Sequence, residues 1–364
     1  MKRVLSIMIA LCMMLISIPA MAETASPEIL EWVRAQADAL SPDQKVVNVF
    51  TWTGYIPDEV VNQFMDETGI TINYSPLLGD NEEVRTKISA NPDMYDLVIC
   101  SDYIIGTMAD QGLLHEIDPA KIPNYANINP GFQGKFYDPD NKYTIPYTNS
   151  IPMLVYNTAT SPVEVTGYTD LWDSAFENSL VCVAESRVII GMAQKKLGMS
   201  YNETDPEKLA LVKDELIKLR PNIVTLNSDT PHNALISGDA SAGFMYGSQY
   251  NAARALIPEL QNVYPKEGLG YGIDNIVVPA GAQHLDATYI FLNYLLDGQV
   301  SAYISSVIFY GNCNTAATEF LPESFQDEAL QNLDPQMYAE AEFIMPLDAE
   351  TQAIYDDIWI SFRQ

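Results

Sequence analysis

The 364-residue chain carries 48 acidic against 19 basic side chains, a formal net charge of −29. Nucleic acid is thereby removed from its partners, because phosphate binding needs basic neutralisation. The negative field attracts cations, although such a charge also serves simply to keep a protein dispersed, and the length suits two domains of ordinary size with ample core.

Lys2 and Arg3 precede an apolar run from Val4 to Ile18, and Ala20-Met21-Ala22 is a small-x-small cleavage site. Residues 1–22 read as a secretory signal peptide, too short for a membrane span, and their loss takes the charge to −31. Cys12 offers a lipid-anchored alternative, but cleavage there would cut the apolar run in half. No other segment is long and apolar enough to span a bilayer, so the expected product is exported, periplasmic or extracellular. Cys100, Cys182 and Cys313 are an odd set without metal-type spacing, and His115, His232 and His284 are scattered. Buried thiols are expected for Cys100 and Cys182, and neither a metal nor a cofactor is expected.

Residues 23–44 form a polar extension whose apolar positions, Ile29, Leu30 and Val33, suit a segment lying on the outside or staying mobile. Residues 46–50 read as a short buried strand. Pro57, Asp58 and Glu59 open a helix carrying Val60, Val61, Phe64 and Met65 at helical spacing, which Gly69 stops. Trp52, Thr53 and Tyr55 occupy the intervening loop at the carboxyl end of the strand, the edge where open α/β sheets bind ligands; as core rings the two aromatics would need no such role. A second strand at residues 70–74, a helix at 81–90 and a third strand at 95–99 follow, and Ser101, Asp102 and Tyr103 precede the next helix. Strand alternating with helix implies a parallel, right-handed βαβ arrangement. Two aromatic–polar junctions on one sheet then face the same edge, which favours a ligand site.

Residues 113–147 are loop-rich, with Pro119, Pro123, Pro130, Pro139 and Pro146, and residues 150–156 read as an extended crossover into a second domain. There the α/β pattern resumes: strand 180–183 ending at Glu185, a helix to Leu197, a helix at 206–219 with Leu209, Val212, Leu216 and Leu219 on one face, and strands at 223–226 and 242–246. Tyr271 opens an extended run with Asp274 inside it. An acid in an apolar strand requires a partner, or an edge or turn where it meets water. Helices at 285–296 and 300–307, a turn at 309–312 and a C-terminal helix at 350–362 complete the chain.

These residues resemble the exported polyamine-binding proteins of ABC importers, of the spermidine/putrescine-binding type. The resemblance rests on Trp52-Thr53-Gly54-Tyr55-Ile56-Pro57, Tyr95-Asp96-Leu97-Val98, Ile145-Pro146-Tyr147, Thr169-Asp170-Leu171-Trp172, Pro265-Lys266-Glu267-Gly268, Phe309-Tyr310-Gly311-Asn312-Cys313-Asn314 and Ile354-Tyr355-Asp356-Asp357-Ile358-Trp359, in that order along nearly the whole mature chain. It implies the two-lobed α/β fold of periplasmic binding proteins, type II, with the ligand in the cleft between lobes. Lobe one would take residues 45–150 and 274–318, and lobe two residues 151–273 and 319–364. Trp52, Thr53 and Tyr55 fall on the family's first ligand loop and Ser101 and Tyr103 on its second, with Asp102 beside them as a further acid. Glu185 and Asp274 match ammonium-binding acids, and Tyr246 and Tyr310 cleft aromatics, with Tyr271 adjoining; Tyr246 and Tyr271 also read as packed rings. The implied partners are a polyamine and a membrane permease, the protein itself a monomer.

The chain departs from the pattern at three places. Gly54 and Val188 stand where acids are expected, and Gly272 where a ring is expected. Fewer acids shift the expectation from spermidine towards a diamine such as putrescine, unless Asp102 compensates, and another small cation remains a rival. An enzyme using Glu185 and Asp274 as acid and base lacks any nucleophile elbow, metal cluster or phosphate loop. Tyr246 and Tyr250, as ferric ligands, stand at a spacing that packing explains more simply.

Overall fold

The computed structural model describes residues 24–77, 81–228, 230–322 and 341–364; the leader reading of residues 1–22 and its Cys12 alternative lie outside them. The chain opens with helix α1 (Pro27–Asp38), which Ser26 caps by accepting from the Ile29 N–H at 3.2 Å. Ile29, Leu30, Val33 and Ala37 are buried, and α1 packs on α2 (Asp58–Thr68) and α9 (Leu285–Leu295). Ser26 is also tied to Asp297, its hydroxyl donating to Oδ2 at 2.7 Å. The extension is therefore an integral helix, and its three apolar positions are the buried face of a longer stripe.

Strand β1 (Val46–Trp52) leads through the first loop into α2, which ends at Gly69 in the left-handed region, φ 65°. Then come β2 (Thr71–Leu77), α3 (Asn81–Ala90), β3 (Leu97–Ser101), α4 (Asp102–Asp110) and β4 (Thr144–Ser150). Between α4 and β4, Pro119, Pro123 and Pro130 each open a short 3-10 turn, where a fixed φ and a missing N–H cost nothing. After Ile151 the chain enters the second lobe with β5 (Pro152–Asn157), β6 (Leu180–Cys182), α5 (Ser186–Lys196), α6 (Pro206–Leu219), β7 (Ile223–Leu226), α7 (His232–Ser237), β8 (Ala242–Tyr246), α8 (Gly247–Arg254) and β9 (Leu260–Val263). It returns with β10 (Gly270–Val277), followed by α9, α10 (Gly298–Ile308) and β11 (Gly311–Asn312). Strand β12 (Glu342–Phe343) and helix α11 (Ala349–Arg363) close the chain, α11 packing on α5 and α6.

Among the described residues the first sheet runs β11-β4-β10-β3-β1-β2, with β12 beside the start of β10, and the second β7-β6-β8-β5-β9. The parallel arrangement expected from strand–helix alternation holds for β2-β1-β3 and β7-β6-β8. It does not hold for β4, β5, β9 and β10, which pair antiparallel. These are the strands that pass between lobes, with no crossover helix to return them in the same direction. The stretch expected as one extended crossover is two strands, broken at the buried Ile151.

Each lobe has its own core. Phe64 packs at a tilt against Phe291 and Tyr294 under the first sheet, and Phe244, Phe176 and Tyr168 centre the second. A smaller cluster of Ile151, Leu269, Tyr271, Ile273 and Cys313 sits where the crossing strands meet. Lobe one is pinned by Asp96, fully buried just before β3. Its carboxylate accepts from the Asn48 N–H at 2.8 Å and side-chain amide at 2.9 Å, and from the Gln283 and His284 N–H groups at 2.8 and 3.0 Å; His284 Nδ1 lies 2.9 Å away. One side chain thus joins β1 to the entry of α9. Asp96→Ala leaves several of these donors unpaired at ~1–3 kcal/mol each, so an overall loss of about 3 kcal/mol or more is expected in chemical denaturation.

Candidate ligand cleft

Asp274 lies in the middle of the first sheet, opposite Ser101 on β3 and Thr148 on β4. Strand alternation puts Gly272 and Asp274 on one face of β10 and Tyr271 and Ile273 on the other. Ser101 Oγ donates to Asp274 Oδ1 at 2.7 Å, and the Tyr55 hydroxyl donates to Oδ2. Tyr55 Oη also lies 2.9 Å from Thr148 Oγ1, and the Tyr147 hydroxyl donates to the Tyr55 carbonyl at 2.7 Å. Asn81, at the start of α3, fixes Ser101 from behind: its Oδ1 accepts from the Ser101 N–H at 2.9 Å and its amide donates to Ser101 Oγ at 3.1 Å. Thr148 and Asn81 were not singled out from sequence. Only the strand register brings Thr148 beside Asp274, and register is not written in the local pattern.

The second lobe supplies Glu185, the cap residue before α5, and Tyr246, which ends β8. The Tyr246 hydroxyl donates to Glu185 Oε2 at 2.7 Å. Tyr310 stands between the two walls. It follows Phe309, whose left-handed backbone (φ 57°) ends α10 and turns the chain into the cleft. Its ring centroid is 5.8 Å from that of Tyr55 and 6.2 Å from that of Tyr246, and the Ser248 hydroxyl meets its own. Trp52 packs edge-on to Tyr55 at 5.2 Å. An unbroken series of rings, Trp52, Tyr55, Tyr310 and Tyr246, therefore runs from the Asp274 wall to the Glu185 wall.

Burial pushes the carboxyl groups of Asp274 and Glu185 above the usual carboxylate range. Hydrogen bonds from Tyr55 and Ser101 pull Asp274 back, and one from Tyr246 pulls Glu185 back while the charge of Asp274 raises it again. Burial drives Asp102 well above that range, partly opposed by the Ile273 N–H and reinforced by Asp274. Among the described residues no lysine or arginine forms an ion pair with any of the three. Asp274 and Glu185 are nonetheless only half-buried, so they line a space that opens between the lobes.

The remaining expected residues are placed differently. Thr53 is exposed on the loop beside Gly54. Tyr103 is half-buried in the first turn of α4, against the apolar layer beneath it. Asp102 is 1% exposed, and its Oδ2 accepts from the Ile273 N–H at 2.9 Å, so it braces α4 against β10. Tyr271 belongs to the apolar cluster between the crossing strands, 4.8 Å from the Phe343 ring and on the face of β10 away from Asp274. Its proximity in sequence does not put it in place of a ring at Gly272. Tyr250 is buried in the second core, with Arg254 Nη1 donating to its hydroxyl at 2.6 Å. Val188 is 3% exposed within the same core, so a carboxylate introduced there would enter apolar packing rather than the cleft.

Two α/β lobes, two unneutralised carboxylates on facing walls and a row of aromatics between them define a two-lobed binding protein for a small solute. Comparison with known proteins agrees. Residues 59–332 match the family described as bacterial extracellular solute-binding protein, and the chain belongs to that family. It is 32% identical over 324 residues to the spermidine/putrescine-binding periplasmic protein of Salmonella typhimurium, covering 88% of this chain and 92% of that protein. Its fold is similar to the structure of a putative spermidine/putrescine ABC transporter protein from Listeria monocytogenes (TM-score 0.82, 25% identity, 88% and 99% of the two chains). It is similar as well to the spermidine/putrescine ABC transporter substrate-binding protein of Streptococcus pneumoniae (TM-score 0.77, 29% identity, 87% and 98%). No helix among the described residues is long and apolar enough to cross a membrane.

The raised carboxyl groups fix a pH dependence. A carboxyl group with a folded pKa above its unfolded value binds more protons when folded, so its penalty is present at neutral pH and relieved as pH falls through the folded value. The ligand-free protein should therefore gain thermal stability as pH is lowered from 8 towards the ordinary carboxylate range, below which paired carboxylates such as Glu215 and Glu342 begin to lose theirs. Asp274→Asn should raise the melting temperature at pH 8 and flatten this slope; scanning calorimetry across pH reads both, and an unaltered slope would contradict the assignment.

Proposed function

We propose that this protein is the capture component of an ABC importer for a linear diamine of the putrescine class. It works outside the cytoplasmic membrane as a monomer, after removal of residues 1–22, and passes its ligand to a membrane permease. The observation that supports this reading best is the pair of half-buried carboxylates, Asp274 from one lobe and Glu185 from the other, joined by rings and without basic partners among the described residues. A dication with an alkyl middle supplies what they lack: an ammonium for each acid, and methylenes for the faces of Tyr55, Tyr310 and Tyr246. Each ammonium–ring contact contributes about 0.5–2 kcal/mol, and micromolar affinity corresponds to about 8 kcal/mol, so two paired charges and the rings suffice. Two facing acids match two charges, which favours the diamine over spermidine. The names of the relatives point to polyamines, naming spermidine and putrescine alike.

Closure follows from the division of the site. Only the closed form offers both acids at once, so ligand shifts the population towards it. Small-angle scattering should show a smaller radius of gyration with saturating putrescine than without. Calorimetry should show Asp274→Asn weakening putrescine by at least ~1.5 kcal/mol, the loss of a charge-assisted hydrogen bond, and Glu185→Gln a comparable loss. Equal affinity in wild type and both variants would overturn the reading.

A further inference from the structure

Gly272 is a glycine that neither its backbone nor its neighbours require. It lies in β10 outside the left-handed region. A Cβ on Gly270 would strike the Tyr201 ring at 2.5 Å, and one on Gly311 would strike Asn149 Oδ1 at 2.4 Å. A Cβ on Gly272 would meet nothing closer than Ser150 Oγ at 3.8 Å and Asp102 Oδ2 at 4.0 Å. The space left is on the same strand face as Asp274, two residues away, and it borders the cleft. Glycine inside a strand weakens it and marks a place where something approaches closely.

What borders that space is polar and accepting. The Ser150 hydroxyl is half-buried and makes no hydrogen bond within the described residues. Asp274 carries a carboxylate on the same strand face, and no basic side chain among the described residues pairs with it; Asp102, 1% exposed with Oδ2 already accepting from the Ile273 N–H, closes the floor of the space. A primary ammonium is compact: seated at Asp274 it has three donors on one atom and leaves the Gly272 side to water. A guanidinium is planar, with donors spread along a fork that spans two acceptors, and it sheds water more readily than an ammonium. A flat strand face bare of a side chain, with acceptors on either hand, has the shape and polarity of such a head.

We infer that the space over Gly272 is a subsite for a guanidinium head, held by Asp274 and Ser150, so that the cleft accepts an amine–guanidine cation whose guanidinium lies at the β10 end and whose ammonium lies at Glu185. The inference rests on the diamine reading above and refines one end of it. Gly272 is then the residue that sets the permitted width of the head, and Ser150 the one that rewards it.

Calorimetry with putrescine and with agmatine, which is putrescine with one amine carried as a guanidinium, tests this on the mature protein. Agmatine should bind wild type at least as tightly as putrescine. Gly272→Phe, filling the space, should lower the ratio of agmatine to putrescine affinity at least tenfold. Ser150→Ala should lower the same ratio about threefold, and carries the test if the phenylalanine variant does not fold. A wild-type preference for putrescine above tenfold, or a ratio unmoved by these substitutions, overturns the subsite while leaving the diamine reading in place. Binding of neither ligand overturns both.

Discussion

The cleft is arranged around a carboxylate that no basic side chain among the described residues neutralises. Asp274 sits in the central region of a sheet, held by Tyr55 and Ser101, with neutral hydroxyls where a structural ion pair would have a lysine or arginine. Desolvating an unpaired carboxylate is costly, and on the proposed reading the ammonium of the ligand would offset that cost. The surrounding elements can be understood from this point outwards. The β1–α2 loop brings Tyr55, the β3–α4 junction brings Ser101, and α3 brings Asn81 to fix Ser101. Glu185 repeats the device in the second lobe with a single phenolic donor. On the proposed reading, stability would be lower in the empty state and recovered on binding.

The sequence was legible where chemistry is carried by residue type. Asp274 in an apolar strand and the paired junctions at Trp52–Tyr55 and Ser101–Tyr103 stand out by type and position, whereas Glu185 is singled out through the family resemblance. What remained hidden is a matter of facing. Tyr271 differs from Asp274 by three positions, and with a side-chain period of two that reverses the face. Val188 follows Glu185 by a helical three-residue step, but Glu185 is the non-helical cap of α5, so the spacing does not put the two on one face. Asp102 opens α4 one residue after Ser101, and its side chain turns back to the Ile273 N–H instead of following Ser101 towards Asp274.

Strand direction was hidden for a related reason. Alternation of strands and helices identifies β1-α2-β2-α3-β3 as a parallel unit, since each connection carries its own crossover helix. The strands that leave a lobe and return have no such helix, and their direction is set by the joint between lobes, a non-local fact. The extension at residues 23–44 shows the limit in another way. Its stripe of four buried positions is short, and only the faces of α2 and α9 that receive it make it a helix of the core.

The joint itself decides how the two halves can move. The β4–β5 passage and the β9–β10 return both cross it, and β12 is laid along the start of β10. Glu342 on β12 is held by Lys195 and Ser200 of the second lobe, while Tyr271 and Phe343 fill the space beneath. Several chain passages thus meet around one small apolar cluster, and any change in the angle between the lobes would have to be absorbed there. On the proposed reading, a permease resting on both lobes would sense the angle between them, because ligand favours the form in which both walls of the cleft are brought together.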